Sequence, residues 1–421
     1  DISTVGGTTP FSADTDTASI SVTPVNDAPA GTDNTVSLPE DGSHTFTADD
    51  FGFTDPTDAV DAGGANALQA VKISSLPADG ELRYNGVAIT QVQVDAGFEV
   101  SATDITGGLL TFIPVANANG SNYASFDFQV RDDGGGNDLD LSANTITLDV
   151  TPVNDAPEGA DKTITMAEDG TYALTVADFG FTDPTDAAAA SGANSLEAVK
   201  ISSLPVDGEL RFNDVAITPA EIIAGFEVSA TDLAAGKLTF VPAADANGTS
   251  YASFDFQVRD DGGTANSGVD LDQSADTITF DVTAVNDAPV LDATQSPVLA
   301  DIIEDVAPVA NTGTTVADLV VDNSITDVDL AGSAPEAIYV TAADNSNGSW
   351  EYQVDGVNWL TVDFTTNPGT GLLLESTDAI RFVANADFNG SADITFGAWD
   401  QTSGIAGNYA DISTVGDTTP F

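Results

Sequence analysis

Side-chain carboxylates and amides recur in this chain at fixed spacings. Asn26 and Asp27 stand in "TPVNDAP" (23–29), Asn154 and Asp155 in the same seven residues at 151–157, and Asn286 and Asp287 in "TAVNDAP" at 283–289. Three acidic stretches accompany each copy. With the first come Glu40 and Asp41 in "PEDG", Asp55 and Asp58 in "TDPTD", and Asp132 and Asp133 in "RDDGG". With the second come Glu168 and Asp169, Asp183 and Asp186, and Asp260 and Asp261; with the third, Glu304 and Asp305, Asp327 and Asp329, and Asp400. Ca²⁺ takes six to eight oxygens of this kind at about 2.3–2.6 Å, whereas Mg²⁺ demands a stricter octahedron and retains water. A flexible, all-protein oxygen cage therefore favours calcium. The competing reading of "VNDAP" is a plain turn or cap, because proline fixes its own φ and Asn and Asp readily satisfy local backbone groups.

Other chemistries are poorly served. There is no cysteine, which removes disulfides and thiolate metal sites, and His44 is the single histidine. Paired acids can hydrolyse glycosides, but a catalytic pair is rarely triplicated in tandem, so the chain reads as a non-enzyme. Trp350, Trp359 and Trp399 all fall in the last third. "NGSWEYQVDGVNW" there reads as a hairpin with aromatics on one face, either core packing or a platform for a glycan ligand. Asn119, Asn247 and Asn389 precede Gly-Ser or Gly-Thr and read as turn residues. Six of the nine basic residues occupy matched positions (Lys72 and Lys200, Arg83 and Arg211, Arg131 and Arg259), where they neutralise acidic neighbours.

The charge balance points the same way as the motifs. Sixty-seven acidic residues against nine basic ones give a formal charge of −58. Nucleic acid and anionic membranes repel such a chain, and no apolar run is long enough to enter a bilayer. Two carboxylates about 4 Å apart oppose each other by roughly 4 kcal/mol at an effective dielectric near 20, so a compact fold of this composition wants counter-cations.

The elements that must position these acids follow from internal repetition. "VKISSLPADGELRYNGVAIT" (71–90) returns as "VKISSLPVDGELRFNDVAIT" (199–218), and "YASFDFQVRDDGG" (123–135) returns unchanged at 251–263. Both pairs are offset by 128 residues, as are Asp27 and Asp155; Asp287 follows 132 residues later. The third unit is a diverged relative that keeps "VNDAP", "ITDVDLAG" and "IRFVANADFNGSADITFGAWD". Short runs rich in Val, Ile, Thr and Phe ("HTFTADDFGF", "AVKISSL", "ELRYNGVAI", "LLTFIPV", "SFDFQVRD", "NTITLDV") are bounded by Asp-Gly, Asn-Gly and Pro turns, which predicts strands. "TPAEIIAGFEV" predicts one short helical turn. About seven strands per 130 residues predict an all-β chain of tandem Ig-like or cadherin-like β-sandwiches joined by short VNDAP linkers, each with its own core rather than a solenoid. In such a sandwich several acidic loops converge at one end, beside the linker.

The expected boundaries are a C-terminal strand segment of a preceding repeat at 1–24, sandwiches at 25–152 and 153–284, and a variant sandwich at 285–421 that lacks its last strand. "DISTVGGTTPF" opens the chain and "DISTVGDTTPF" closes it. Residues 12–24, containing "TASISVTP", would extend the third unit by that missing strand. The fragment is thus expected to be one superperiod of a longer array.

The linker "VNDAP", the early "EDG", the paired Asp loop and "FDFQVRDDGG" resemble bacterial cadherin-like or Ig-like tandem repeats, which form the extender regions of giant RTX-type, type I-secreted adhesins. The resemblance implies Ca²⁺ at the junctions between neighbouring repeats, export to the bacterial cell surface, and a part in attachment or biofilm formation. It also implies that Asp27, Asp155 and Asp287 are linker ligands, with the acidic stretches above as partners. The third unit departs from it at Gln401, where the others have a second Asp, and "GGGNDLDL" (134–141) is a lone, poor match to the RTX nonapeptide. Two alternatives accompany the extender: a glycan- or partner-binding third unit, and an extracellular filament or surface-layer subunit in which residues 1–24 of one copy complete the open unit of another, end to end.

Overall fold

A computed structural model describes every residue except 1–7, 9–11, 13, 61–63, 189–191, 331–333 and 417. The opening "DISTVGGTTPF" falls largely outside the described residues. The chain is all-β with short helical turns, and it divides into two compact units: Asp1–Ala160 with Gly180–Lys200 and Gln257–Ala275, and Asp161–Phe179 with Ile201–Phe256 and Asp276–Phe421.

The first unit contains the whole first repeat, a two-sheet sandwich. Its strands are β1 (Asn34–Pro39), β2 (His44–Thr45), β3 (Leu68–Ile73), β4 (Glu81–Tyr84), β5 (Val87–Ala88), β6 (Glu99–Ser101), β7 (Leu110–Ile113), β8 (Gly120–Asp132) and β9 (Asn144–Thr151). One sheet runs β1-β9-β8-β3-β6 and the other β2-β7-β4-β5. Alternation along β8 sends Phe126, Phe128 and Val130 inward, where they meet Ile146 and Leu148 of β9, Val71 and Ile73 of β3, and Leu82 and Phe112 of the facing sheet. Every one of these side chains is at most 2% exposed.

The first strand pairs with the last in parallel, Asn34 opposite Ile146 through Pro39 opposite Thr151. This one pairing decides where the acids go: parallel neighbours end at the same edge, so the loop after β1 emerges beside the exit of β9. "HTFTADDFGF" is a strand only at His44–Thr45. It then becomes a 3₁₀ turn (Ala48–Phe51), because the Asp50 carboxylate accepts the Thr47 N–H at 2.7 Å and caps the turn. Residues 14–29 form no strand and are largely exposed, Ile20 and Val22 at 90% and 86%.

The second unit repeats these pairings. Lys162–Ala167 runs parallel to Asp276–Thr283, and "TPAEIIAG" does form a helix at Pro219–Ile223, capped by Thr218. The third repeat builds two four-stranded sheets. One is ordered Thr314–Thr315, Ala379–Ala384, Gly348–Gln353, Leu360–Thr361; the other is ordered Ile394–Ala398, Ile338–Ala343, Thr370–Leu374, Tyr409–Asp411. The expected tryptophan hairpin exists, Glu351 pairing with Thr361, but its aromatics do not form a platform. Trp350 and Trp399 are each 2% exposed, buried because they fill core positions, and Trp359 is covered by Arg381, whose guanidinium carbon lies 3.9 Å from the ring centre. That cation is held in turn by Glu351 at 2.6 Å.

Candidate metal centres

At the entrance of the first repeat, the linker amides hold the acidic loops. The Asn26 amide donates to both Asp132 oxygens at 3.2 and 3.3 Å, and the Asp27 N–H donates to Asp58 at 3.1 Å. Asn66 closes the cluster. Its N–H reaches Asp55 at 2.7 Å, and its side-chain amide reaches Asp58 at 3.2 Å and Asn26 Oδ1. Asp55, Asp58 and Asp132 are all at most 5% exposed. The same wiring returns 128 residues on. Asn154 donates to Asp260 at 2.9 Å, Asp155 N–H to Asp186 at 3.0 Å, and Asn194 N–H to Asp183 at 2.6 Å. The third copy keeps the outline: Asn286 donates to Asp400 at 2.9 Å and Asp287 N–H to Asp329 at 2.6 Å, while Asp329 N–H reaches Asp327 at 3.0 Å.

The "EDG" stretch sits at the other end of its repeat. Glu40 follows β1, its N–H bonds the Thr151 carbonyl that ends β9, and its carboxylate accepts the N–H of Val153 in the next linker at 2.7 Å. Glu168 does the same with Val285, also at 2.7 Å. The four acidic stretches of one repeat are therefore divided: three gather at its entrance, and the fourth joins the entrance of the repeat that follows. Each junction is two-sided. At the first, Glu40 and Asp41 act on Asp155, and Glu40 on Asp186, while Asp183 couples to Asp155, Asp186 and Asp260. At the second, single oxygens of Glu168, Asp287 and Asp329 lie within 4.8 Å of one another, as do those of Asp169, Asp245 and Asp287.

The electrostatics are those of anions crowded together out of water. Burial pushes the Asp260 carboxyl up to about 6, against hydrogen bonds from Gly262 N–H and Asn154 that favour its charge. Burial raises Asp155 as well, followed by the charges of Asp186, Asp41, Glu40 and Asp183. Asp287 is raised by burial and then by Asp169, Asp245, Asp329 and Glu168. Carboxylates this close repel by about 3–4 kcal/mol per pair at an effective dielectric of 20.

Among the described residues, the buried oxygens Asp55 Oδ1, Asp183 Oδ1, Asp260 Oδ2 and Asp287 Oδ2 have no hydrogen-bond donor. Each belongs to one of these clusters, and an orphaned buried acceptor costs about 1–3 kcal/mol. An all-oxygen donor set with unsatisfied, desolvated anions fits a hard divalent cation. Asp155, Asp183, Asp186, Asp260, Glu40 and Asp41 would hold it at the first junction; Asp287, Asp327, Asp329, Asp400, Glu168, Asp169 and Asp245 would hold it at the second.

Not every candidate points at an ion. Asn26, Asn154 and Asn286 turn their amide nitrogens to Asp132, Asp260 and Asp400, so they brace carboxylates. Exposed Asp133 and Asp261 accept the N–H groups of Ala67 and Ser195 at 2.9 and 2.8 Å and pin the loop. Glu304 and Asp305 are exposed, and Asp305 accepts the Asp387 N–H at 3.1 Å. Sequence reading missed Asn66 and Asn194, although "GAN" recurs at the repeat offset, and it missed Asp245. It also took Asn119 and Asn247 for turn residues, whereas their amides hold Glu40 at 3.0 Å and Glu168 at 2.9 Å. The glycine of "RDDGG" has a plain cause: a Cβ on Gly134 or Gly262 would collide with Asn26 Oδ1 or Asn154 Oδ1.

Neither a protein-family model nor a curated protein matches this chain. Among solved structures it is similar to mouse cadherin-23 EC22-24, with 14% identity over 86% of this chain and 89% of that one and a TM-score of 0.38. Human CDH23 EC21-23 gives 12% identity, 86% and 91% coverage, and a TM-score of 0.37. Protocadherin gamma C5 EC1-3 gives 16%, 84% and 89%, and 0.35. Likeness at this level says nothing about what the chain binds. No helix among the described residues is long and apolar enough to cross a membrane.

Proposed function

We propose that this chain is a calcium-stiffened extender: tandem β-sandwiches that hold a distal adhesive domain away from a bacterial cell surface, outside the cell. One observation carries the reading. Carboxylates from two successive repeats meet at each junction, and buried oxygens there have no partner among the described residues. Glu40, Asp41 and Asp155 would hold a cation that ties the end of one sandwich to the linker of the next, and without it these carboxylates repel one another across the joint. With a 13-residue β8, each repeat adds about 40 Å of length at roughly 3.3 Å per residue. Extracellular modules bind Ca²⁺ at about 10⁻⁴–10⁻³ M, so such joints load outside a cell and stay loose inside it.

Small-angle scattering of the intact chain, titrated with Ca²⁺ and then with chelator, tests this. The maximum dimension should rise and its spread narrow as calcium loads, in step with calorimetric binding. Scattering profiles that superimpose with and without calcium would remove the stiffening role, and absence of calorimetric heat would remove the sites.

A further inference from the structure

The loop that follows β7 in the first repeat, and its counterpart in the second, lie beside the "EDG" acids and differ in one charge. Asn117 N–H donates to Asp41 at 3.1 Å, and Asp245 N–H donates to Asp169 at 3.4 Å. Both donors adopt a left-handed backbone, with φ of 57° and 56°, which Asn and Asp tolerate better than most residues that carry a side chain. Conformation therefore restricts this position to a short list and leaves its charge free. The first junction has the amide there, and the second has the acid.

That difference changes what the carboxylates can do. At the second junction, single oxygens of Asp169, Asp245 and Asp287 lie within 4.8 Å of one another, beside the inner group of Glu168, Asp287 and Asp329. Asp287 belongs to both groups, and its buried Oδ2 has no donor among the described residues. With two oxygens, one carboxylate can bridge two hard cations. Asp169 and Asp245 are exposed, so water can complete the six to eight oxygens that Ca²⁺ requires. At the first junction Asp41 still acts on Asp155, but Asn117 brings them no third charge.

We infer that the residue at this left-handed position decides how many cations a junction takes. Asp245 gives the second junction an outer Ca²⁺ seat with Asp169 and Asp287, and Asn117 denies one to the first. The inference rests on the calcium reading of the junctions and refines it. Ca²⁺ affinity follows the charge count and rigidity of the oxygen site. The outer seat offers three carboxylates, two of them exposed, so it fills after the inner ones. The two joints then respond differently as calcium rises. Both gain their inner ions, and only the second gains a further tie between the exit loops of one repeat and the linker of the next.

Counting bound Ca²⁺ by equilibrium dialysis of the intact chain, over about 10⁻⁵–10⁻² M, tests this with Asp245→Asn, Asn117→Asp and the double swap. Both substitutions keep a residue suited to the left-handed backbone, so circular dichroism, and melting of Asp245→Asn in chelator, should not fall below the parent. At saturation Asp245→Asn should bind one ion fewer than the parent and Asn117→Asp one more. The double swap should restore the parent's count. Parent-like counts in both single variants overturn the inference and leave the inner sites, and with them the extender reading, standing. A parent that binds no calcium overturns both. An Asp245→Asn chain that keeps its count and only loses affinity also overturns the seat, because Asp245 would then act as a distant charge. Such a loss would shrink at about 1 M salt, where the screening length falls to about 3 Å.

Discussion

Glu40, Glu168 and Glu304 hold the same place in three repeats, yet their surroundings differ completely. The first two are 2% exposed and each accepts a backbone N–H from the linker ahead; Glu304 is exposed. The linker aspartates differ in the complementary way, Asp155 and Asp287 being half-buried and Asp27 exposed. A single repeat thus brings only part of each junction's acidic cluster to either end. The contact between successive repeats adds Glu40 and Asp41, or Glu168 and Asp169, to the charges that raise Asp155 and Asp287, whereas the loop acids Asp55, Asp58 and Asp132 are already buried at the first entrance, with Asp55 Oδ1 unpaired. On the proposed function, calcium binding would be strongest where two repeats are adjacent.

The largest effect that can break this comparison is calcium removal. Each site occupied at a hundred times its dissociation constant stabilises the native state by about 2.7 kcal/mol. Since 1 kcal/mol moves the midpoint of a 150–250-residue domain by about 2–4 °C, calorimetry should show melting about 5–10 °C lower in chelator than in saturating calcium. Identical melting would mean the junction carboxylates are stabilised by something other than an ion.

A change of sign sharpens it next. Asp260 is fully buried, its Oδ2 has no donor, and its carboxyl is pushed up to about 6. In chelator at pH 7, Asp260→Asn removes a charge that the fold holds at a penalty of about 1–3 kcal/mol, so the variant should melt higher than the parent. In calcium it should melt lower, because a ligand is gone. Destabilisation under both conditions would assign Asp260 a purely structural part.

The pH dependence follows from the same group. A carboxyl raised in the folded state contributes stability that is complete below the ordinary carboxylate pKa of about 4 and is lost as pH rises through about 6. The chelated chain should therefore lose stability between pH 4.5 and 7, with a shallower slope in Asp260→Asn. With calcium the slope should reverse, as protons compete for the ligands. Melting curves across that range decide it.

Much of this was legible in the sequence, for stated reasons. The 128-residue offset and the period-two runs specify sandwiches, and acids that return in every copy mark the junctions. The allocation of those acids was not legible, because it depends on β1 lying parallel to β9, a long-range pairing that no local pattern encodes. Asn66 and Asn194 escaped notice since an amide bracing a carboxylate leaves no charge signature. "HTFTADDFGF" misled because apolar spacing predicts strand while Thr47 and Asp50 cap a turn. Of the two readings of the tryptophans, core packing holds for Trp350 and Trp399, and Trp359 lies beneath Arg381.

The smallest expected effect is the most direct test of adjacency. Asp27→Ala and Asp155→Ala remove the same atom from the same seven-residue phrase, with the same following loops. Asp155 meets Glu40 and Asp41 across its junction, and its loss should weaken calcium binding by at least about tenfold, a range typical when metal-site groups are removed. Asp27 is exposed and has no such partner among the described residues, so its loss should leave melting within about 0.5 kcal/mol of the parent. Calorimetric titration of both variants at low concentration reads the difference. Equal losses would mean that a linker aspartate works through its own repeat alone, and the distinction between closed and open junctions would collapse.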